Sequence, residues 1–137
     1  MSVIQSWQKS RTAEFTARPG QSATVITAHG DIDAANANQL TEYVHRALRQ
    51  SERVVLDLRG LDFIGTAGFS ALHRINVMCS GAGAHWVLIP GRAAHHLLRI
   101  CDPDGTLPTT ISLAELVTGK GNELARRGLL QLVPQPR

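Results

Sequence analysis

The residues of this chain that could carry chemistry lie mainly in two short stretches. Asp33 stands in HGDIDAAN, directly before a segment rich in alanine and leucine. Thr66 stands in LDFIGTAGFSAL, between Gly65 and Gly68, where an apolar run gives way to helical spacing. A carboxylate or a hydroxyl before a helix can accept backbone N–H groups as an N-cap. Either side chain could instead contact another molecule, and the sequence leaves both interpretations open.

The sequence patterns of several common enzyme sites are absent. No GxxxxGK stretch followed by Ser or Thr offers a P-loop, and no GxSxG stretch offers a serine nucleophile. GAG at 81–83 follows a predicted helix and precedes a predicted strand, the reverse of a dinucleotide-binding fingerprint, so it predicts a turn. His95 and His96 are adjacent, and adjacent helical residues diverge too far to chelate one metal. We therefore expect no enzyme activity, no metal site and no cofactor.

Asp57 invites comparison with the phosphoacceptor aspartate of receiver domains, because it lies inside a strand predicted to be buried. Receiver domains also need an acidic pair after the first strand and a late lysine next to the acceptor. Lys120 is the late lysine of this chain, and it follows the last predicted strand. The interpretation of the chain as a receiver domain is therefore weak.

Composition excludes several further classes of protein. A chain of 137 residues with 43% hydrophobic and 18% charged residues predicts one globular domain. The net charge of +3 is mostly scattered, and 4% aromatic residues are few for base stacking, so we expect no nucleic-acid partner. No apolar run approaches the roughly 20 residues of a membrane span. The N-terminus lacks the pattern of a signal peptide, so we expect a cytoplasmic protein without membrane contact.

Two cysteines, Cys79 and Cys101, are expected to be reduced, as is usual in a cytosolic chain. Cys79 falls on the apolar face of a predicted helix, so we expect it in the core.

Alternating strand and helix patterns predict an α/β fold. Two strands, Phe15–Ala17 and Ala23–Ala28, flank a turn at RPGQS, and further strands are predicted around Val54–Leu56, at HWVLI and at TTI (109–111). Leu40, Val44 and Leu48 mark one helix, Phe69, Leu72, Ile75 and Cys79 a second, and RAAHHLLRI a third. Ser112 and Glu115 have the spacing of a capping box for a fourth. The segment 119–137 is predicted to be a loosely attached extension.

Because both of the stretches that contain Asp33 and Thr66 match, the chain resembles a STAS domain, and in particular the bacterial anti-sigma factor antagonists. GDIDAAN before the first helix and LDFIGTAGFSAL after a strand carry the resemblance, which covers about residues 12–118. It implies a single STAS-like domain at 1–118 with a mixed, mostly parallel sheet of about five strands and about four helices. Residues 119–137 then form a C-terminal extension.

The resemblance also implies a function and a site. Family members bind an anti-sigma factor that is a serine/threonine kinase with an ATPase-like fold, and binding releases a sigma factor. Phosphorylation of the motif serine abolishes binding, and that position is Thr66 here. The resemblance assigns partner binding to Asp33, Asp62, Gly65, Thr66, Ala67, Gly68 and Phe69.

The chain departs from the family motif, Asp-Phe-(Ile/Met)-Asp-Ser-(Ser/Thr)-Gly-Leu, at two important positions. Gly65 replaces the aspartate before the phosphoacceptor, and Ala67 replaces the second serine. Two alternatives to a phosphorylation switch therefore stay open. One is a constitutive STAS scaffold in which Thr66 only caps a helix, and the other is a STAS domain that binds a small ligand or nucleotide.

Overall fold

The computed structural model describes residues 6–9, 12–20 and 23–111, with side chains in the last two segments. These residues form the predicted α/β fold. In chain order the elements are β1 (Ser6–Lys9), β2 (Ala13–Pro19), β3 (Thr24–Ile32), α1 (Ala37–Leu48), β4 (Arg53–Ile64), α2 (Thr66–Ala82), β5 (His85–Ile89) and α3 (Gly91–Cys101).

One mixed sheet contains the five strands in the order β1-β2-β3-β4-β5. The pairs β1–β2 and β2–β3 are antiparallel, whereas β3–β4 and β4–β5 are parallel. The expectation of a mostly parallel sheet is therefore wrong, since half of the pairings are antiparallel. The strand expected at 109–111 is reduced to a single bridge between Leu88 and Thr109. The fifth strand is instead β1, whose short polar sequence Ser-Trp-Gln-Lys gave no signal.

The three predicted helices within the described residues are present, and their apolar faces build the core. Leu40 and Val44 of α1 are fully buried, as are Leu72 and Ile75 of α2. Gly81 and Ala82 still belong to α2, so the turn predicted at GAG is confined to Gly83, whose backbone ends the helix in the left-handed conformation at φ 68°. The predicted fourth helix and the extension at 119–137 lie outside the described residues.

Cys79 is buried in the core as predicted, and burial raises the pKa of its thiol to about 11. Cys101 is half-buried, and neither cysteine is part of a disulfide. Across the described segments, no helix combines the length and the apolar character that crossing a bilayer requires.

The alternation of side chains between the two faces of β4 changes phase twice along the strand. Its register against β3 shifts between the Thr27–Asp57 and His29–Gly60 pairs, and again between the Gly30–Leu61 and Asp31–Phe63 pairs. Each shift places two residues of β4 opposite one of β3, which defines a β-bulge. Core positions along β4 are consequently spaced by two and then by three: Val54, Leu56, Leu58, Leu61 and Ile64. The second bulge leaves Asp62 as the extra residue.

The first bulge is stabilised by the side chain of Asp57. Its carboxylate accepts the backbone N–H of Arg59 at 3.0 Å and two guanidinium N–H groups at 2.9 and 2.8 Å. Burial acts to raise the pKa of Asp57, but the hydrogen bonds and charge of Arg59 outweigh it and hold the pKa below its usual range. Asp57 is thus a structural carboxylate in a salt bridge, which argues against the receiver-domain interpretation.

The Asp57–Arg59 pair predicts a pH-dependent contribution to stability. Because the pKa of Asp57 is lowered in the folded state, the pair stabilises the fold above the ordinary aspartate value of about 3.9 and loses this effect below it. We expect Arg59→Gln to lower the free energy of unfolding by about 1 kcal/mol at neutral pH, with the difference vanishing in acid. Urea unfolding at several pH values measures this.

Arg74→Gln is the matched control, because Arg74 is exposed and donates to the Asn38 amide rather than to a carboxylate. Its effect on the free energy of unfolding should not vary with pH. A deficit of Arg59→Gln that persisted unchanged below the pKa of Asp57 would contradict the assigned pairing.

Candidate functional site

The two loops singled out in the sequence meet at one edge of the sheet. β3 and β4 are adjacent and parallel, and Ile32 pairs with Ile64 at their carboxyl ends. Asp33 follows the first strand directly, and Gly65 and Thr66 follow the second. The Gly65 N–H donates to the Ile32 carbonyl at 3.0 Å, which ties the start of α2 to the end of β3. The fold therefore brings the Asp33 loop and the Thr66 loop together.

The Asp33 loop is held by a buried amide side chain, that of Asn36. This residue is 2% exposed. Its Nδ2 donates to the Thr12 hydroxyl and to the Asp31 carbonyl, both at 2.9 Å, and its Oδ1 accepts the Asp33 N–H at 3.0 Å. The amide thus connects both ends of the loop to the segment before β2.

Asp33 is not the N-cap of α1, which was one of the two roles that the sequence left open for it. The N-cap is Asn36, and no side-chain hydrogen bond caps this helix. The Asp33 carboxylate instead accepts the Ala35 N–H at 2.9 Å, within a turn that precedes the helix. Asp33 is half-buried, so its carboxylate is partly accessible to another molecule.

Gly30 lets β3 pass close to the segment that precedes β2. Its φ is 96°, which side-chain-bearing residues rarely adopt, and a Cβ there would collide with the Thr12 carbonyl oxygen. Next to it, the Asp31 N–H donates to that same carbonyl at 2.8 Å. The sequence signal for this contact was the glycine of HGDID.

Thr66 is exposed at the first position of α2, and it is not the cap of that helix. The N-cap is Gly65, whose carbonyl accepts the N–H groups of Gly68 at 2.9 Å and Phe69 at 3.2 Å. No side-chain hydrogen bond caps α2. The interpretation of Thr66 as a helix cap is therefore wrong, and its hydroxyl lies on an accessible surface.

The small residues around Thr66 have different structural roles. Gly68 is buried, and a Cβ there would collide with the Ile64 side chain, so this glycine lets α2 approach the sheet. Gly65 has φ −92° and ψ −175°, an extended conformation open to any residue, so its backbone does not require a glycine. Ala67 and Phe69 are half-buried and pack against the core.

Asp62 and Phe63 are both exposed, directly before the Thr66 loop. Phe63 was not among the predicted site residues, although its side chain is 51% exposed. A Cβ on Gly65 would lie 3.3 Å from Cζ of Phe63, so the aromatic ring lies beside Gly65. Asn36 was also missed, because neither its burial nor the exposure of Phe63 follows from the spacing of residues in the sequence.

Two cavities in the described part of the chain lie away from this edge. One of about 270 Å³ is lined by residues that include Tyr43 and Arg46, and one of about 370 Å³ by residues that include His95 and Asp102. Neither is lined by Asp33 or Thr66, so they give the small-ligand interpretation no support. Among the described residues, no three His, Cys, Asp or Glu side chains are grouped to hold a metal ion.

Comparison with known proteins identifies the class of this fold and site. Residues 14–115 match the STAS domain family, and the chain therefore belongs to that family. The resemblance noted in the sequence is confirmed.

Two relatives from Mycobacterium tuberculosis are similar in sequence. The chain is 41% identical over 71 residues to Osmosensory protein A, across 52% of this chain and 45% of that protein. It is 30% identical over 103 residues to the anti-sigma-F factor antagonist RsfA, across 72% of this chain and 80% of that protein. The chain thus spans less than half the length of the first relative and most of the second.

Solved structures show the same fold at low sequence identity. An anti-sigma factor antagonist from Mycobacterium paratuberculosis has a TM-score of 0.68 at 17% identity, with 90% of this chain and 99% of that chain covered. The unphosphorylated form of the anti-sigma factor antagonist SpoIIAA has a TM-score of 0.58 at 13% identity, with 83% of this chain and 96% of that chain covered.

The contacts of Asn36 predict that it positions the Asp33 loop. Asn36→Ala removes three hydrogen bonds, including the one that pairs the part-buried Asp33 N–H, which should lower the free energy of unfolding by about 2 kcal/mol. Hydrogen exchange at the Asp33 amide should accelerate, because its acceptor is lost. Urea unfolding and amide exchange by NMR measure both effects.

Asn38→Ala is the control, since Asn38 is an exposed amide on the same helix. Its effect should stay within about 0.5 kcal/mol. An unchanged Asp33 amide exchange rate in Asn36→Ala would show that this side chain does not hold the loop.

Proposed function

We propose that this protein is an anti-sigma factor antagonist. It binds an anti-sigma factor through the edge that carries Asp33 and Thr66, and so releases a sigma factor. The observation that carries the proposal is the exposed Thr66 hydroxyl beside the Asp33 loop, in a STAS domain similar along most of its length to an anti-sigma-F factor antagonist. The protein acts by binding, without catalysis, in the cytoplasm.

The partner is an anti-sigma factor with a kinase-type ATPase fold, and Thr66 is its phosphorylation site. Thr66 is the first residue of α2, where the leading N–H groups of a helix lack intrahelical acceptors. The helix dipole favours a negative charge there by roughly 0.3–1 kcal/mol, so the phosphorylated domain stays folded. SpoIIAA, an antagonist of the same fold, has a solved structure of its unphosphorylated form, which gives this modification a precedent.

The residues assigned to partner binding contribute in two ways. Asp33, Asp62, Gly65 and Thr66 lie at least partly exposed and contact the partner directly. Gly68 is buried and acts indirectly, by letting α2 pack close to Ile64. Ala67 and Phe69 offer the partner only their exposed portions.

Phosphorylation switches binding off through charge. A phosphate adds about −1.5 to −2 charges at one position. A partner surface shaped for a neutral hydroxyl would then face a dianion close to Asp33. A penalty of a few kcal/mol suffices, because each 1.4 kcal/mol changes the affinity about tenfold.

Binding of purified anti-sigma factors tests the proposal. Each anti-sigma factor encoded in the source genome is titrated by calorimetry with the wild-type protein, and at least one should bind. Thr66→Glu should keep the fold and weaken that binding at least about tenfold, because it places a charge at the contact. Absence of binding by every member of the panel would overturn the proposed function.

Ser80→Glu controls for the added charge. Ser80 is exposed near the opposite end of α2, so this variant carries the same charge change away from the site. Its affinity should match that of the wild type. Equal weakening by both variants would show that net charge, and not the position of Thr66, governs binding.

A phosphorylation assay distinguishes a switch at Thr66 from a constitutive scaffold. The replacements Gly65 and Ala67 favour the scaffold. Incubation with the bound anti-sigma factor and ATP should add one phosphate to the wild type, seen by mass spectrometry and located at Thr66. Thr66→Val should add none, and Thr66→Ser should be modified. An unchanged mass of the wild type would leave binding intact as a function and assign the chain to the constitutive class.

A further inference from the structure

The second bulge of β4 determines which of two apolar residues faces the core. After Leu61, regular alternation would bury Phe63 and expose Ile64. Because Asp62 is the extra residue of the bulge, the phase reverses, and Ile64 is 5% exposed whereas Phe63 is 51% exposed. Bulges are known devices for redirecting side chains next to functional sites. The chain therefore presents an aromatic ring to solvent where a regular strand would have buried it.

The exposed ring lies inside the proposed binding edge. It lies beside Gly65, where a Cβ would be 3.3 Å from its Cζ atom, and Thr66 is the next residue. The absence of a side chain at Gly65 leaves this flank of the ring uncovered. Phe63 is thus continuous with the surface that carries Thr66.

The charged residues inside the two segments of this edge have one sign, although His29 and Arg59 directly flank them. The two segments that form this edge, 30–36 and 60–69, contain Asp31, Asp33 and Asp62 and no Lys, Arg or His, although the chain as a whole has a net charge of +3. An exposed ring with acidic neighbours is complementary to an apolar pocket bordered by basic side chains. Complementary charges of this kind direct encounter and set orientation.

Resting on the function proposed above, we propose that Phe63 is the anchor of the interface. Its ring inserts into an apolar pocket of the anti-sigma factor, and Lys or Arg side chains at the border of that pocket face Asp62 and Asp33. Buried aromatic anchors dominate the energy of many interfaces, while the charged border mainly controls association rates. The partner is thus expected to have an apolar pocket with a basic border, which contacts Phe63 beside the hydroxyl of Thr66.

Substitution of Phe63 tests the anchor against the anti-sigma factor that binds the wild type in the calorimetric panel. Phe63→Ala should weaken binding about 30-fold, and Phe63→Leu, which keeps an apolar side chain, should retain much of the affinity. Val77→Ala and Ile100→Ala are matched controls, because their side chains are 58% and 69% exposed elsewhere on the surface. Both should bind as the wild type does, and all four should show unchanged thermal midpoints.

The outcomes separate this inference from the function on which it rests. If the wild type binds and Phe63→Ala binds equally well, the anchor is wrong and the proposed function stands. If no anti-sigma factor binds the wild type, both are overturned. If light scattering shows a wild-type dimer that Phe63→Ala converts to a monomer, the ring contacts a second copy of this chain and the assignment to the partner is wrong.

Asp62→Asn tests the charged border separately. Association measured by surface plasmon resonance should slow about threefold at low salt and match the wild type at high salt, because screening removes the attraction. Glu42→Gln, which removes one negative charge from an exposed position outside the two segments of this edge, should not slow association. An unaltered association rate in Asp62→Asn would show that no basic side chains of the partner face Asp62.

Discussion

The phase of strand β4 is the constraint on which the candidate surface depends. Five of its residues enter one core, and they do so only because two bulges change the spacing from two to three after Leu58. A strand of strict alternation would direct Gly60 and Asp62 toward the helices in place of Leu61. Burying an unpaired carboxylate is strongly unfavourable, so the hydrophobic pattern of this sequence selects the bulged register.

The first bulge requires a compensating hydrogen bond, and the sequence provides one. A bulge takes a backbone group out of regular pairing, and here the Arg59 N–H is accepted by the Asp57 carboxylate. The Arg59 guanidinium neutralises the charge of the Asp57 carboxylate, which is mostly buried. Gly91 begins α3 against the same backbone, where a Cβ would lie 2.6 Å from the Cα of Arg59. The bulge, the ion pair and the helix start are therefore interdependent.

Periodicity was sufficient to predict the helices and the buried strands, because those elements follow one spacing over several residues. α1 and α2 were predicted from leucine and isoleucine intervals, and β5 from a continuous apolar run. Phase shifts within β4 could not be predicted in this way, since a bulge changes the spacing at a single residue and leaves no repeat. Asn36 was missed for a related reason: its partners, Thr12 and Asp31, come together only after β2 pairs with β3. Residue type and position singled out Asp33 and Thr66, and the family resemblance gave them a role, but whether they cap a helix depended on the actual helix starts.

Gly65 links these observations to the question of regulation. Its extended backbone would accept an aspartate, and a Cβ would require the Phe63 ring to give way by only a few tenths of an ångström. The fold therefore does not impose glycine there, and the absence of the acid changes the surface more than the structure. An aspartate at this N-cap position would place a carboxylate directly before Thr66, close to the ring of Phe63. Glycine leaves an apolar flank instead, so under the proposed function a partner would meet the aromatic ring and a neutral hydroxyl, with the remaining carboxylates at the border of the contact. On such a surface a phosphate on Thr66 would be the largest change in charge, and the neutral state would be the one that binds.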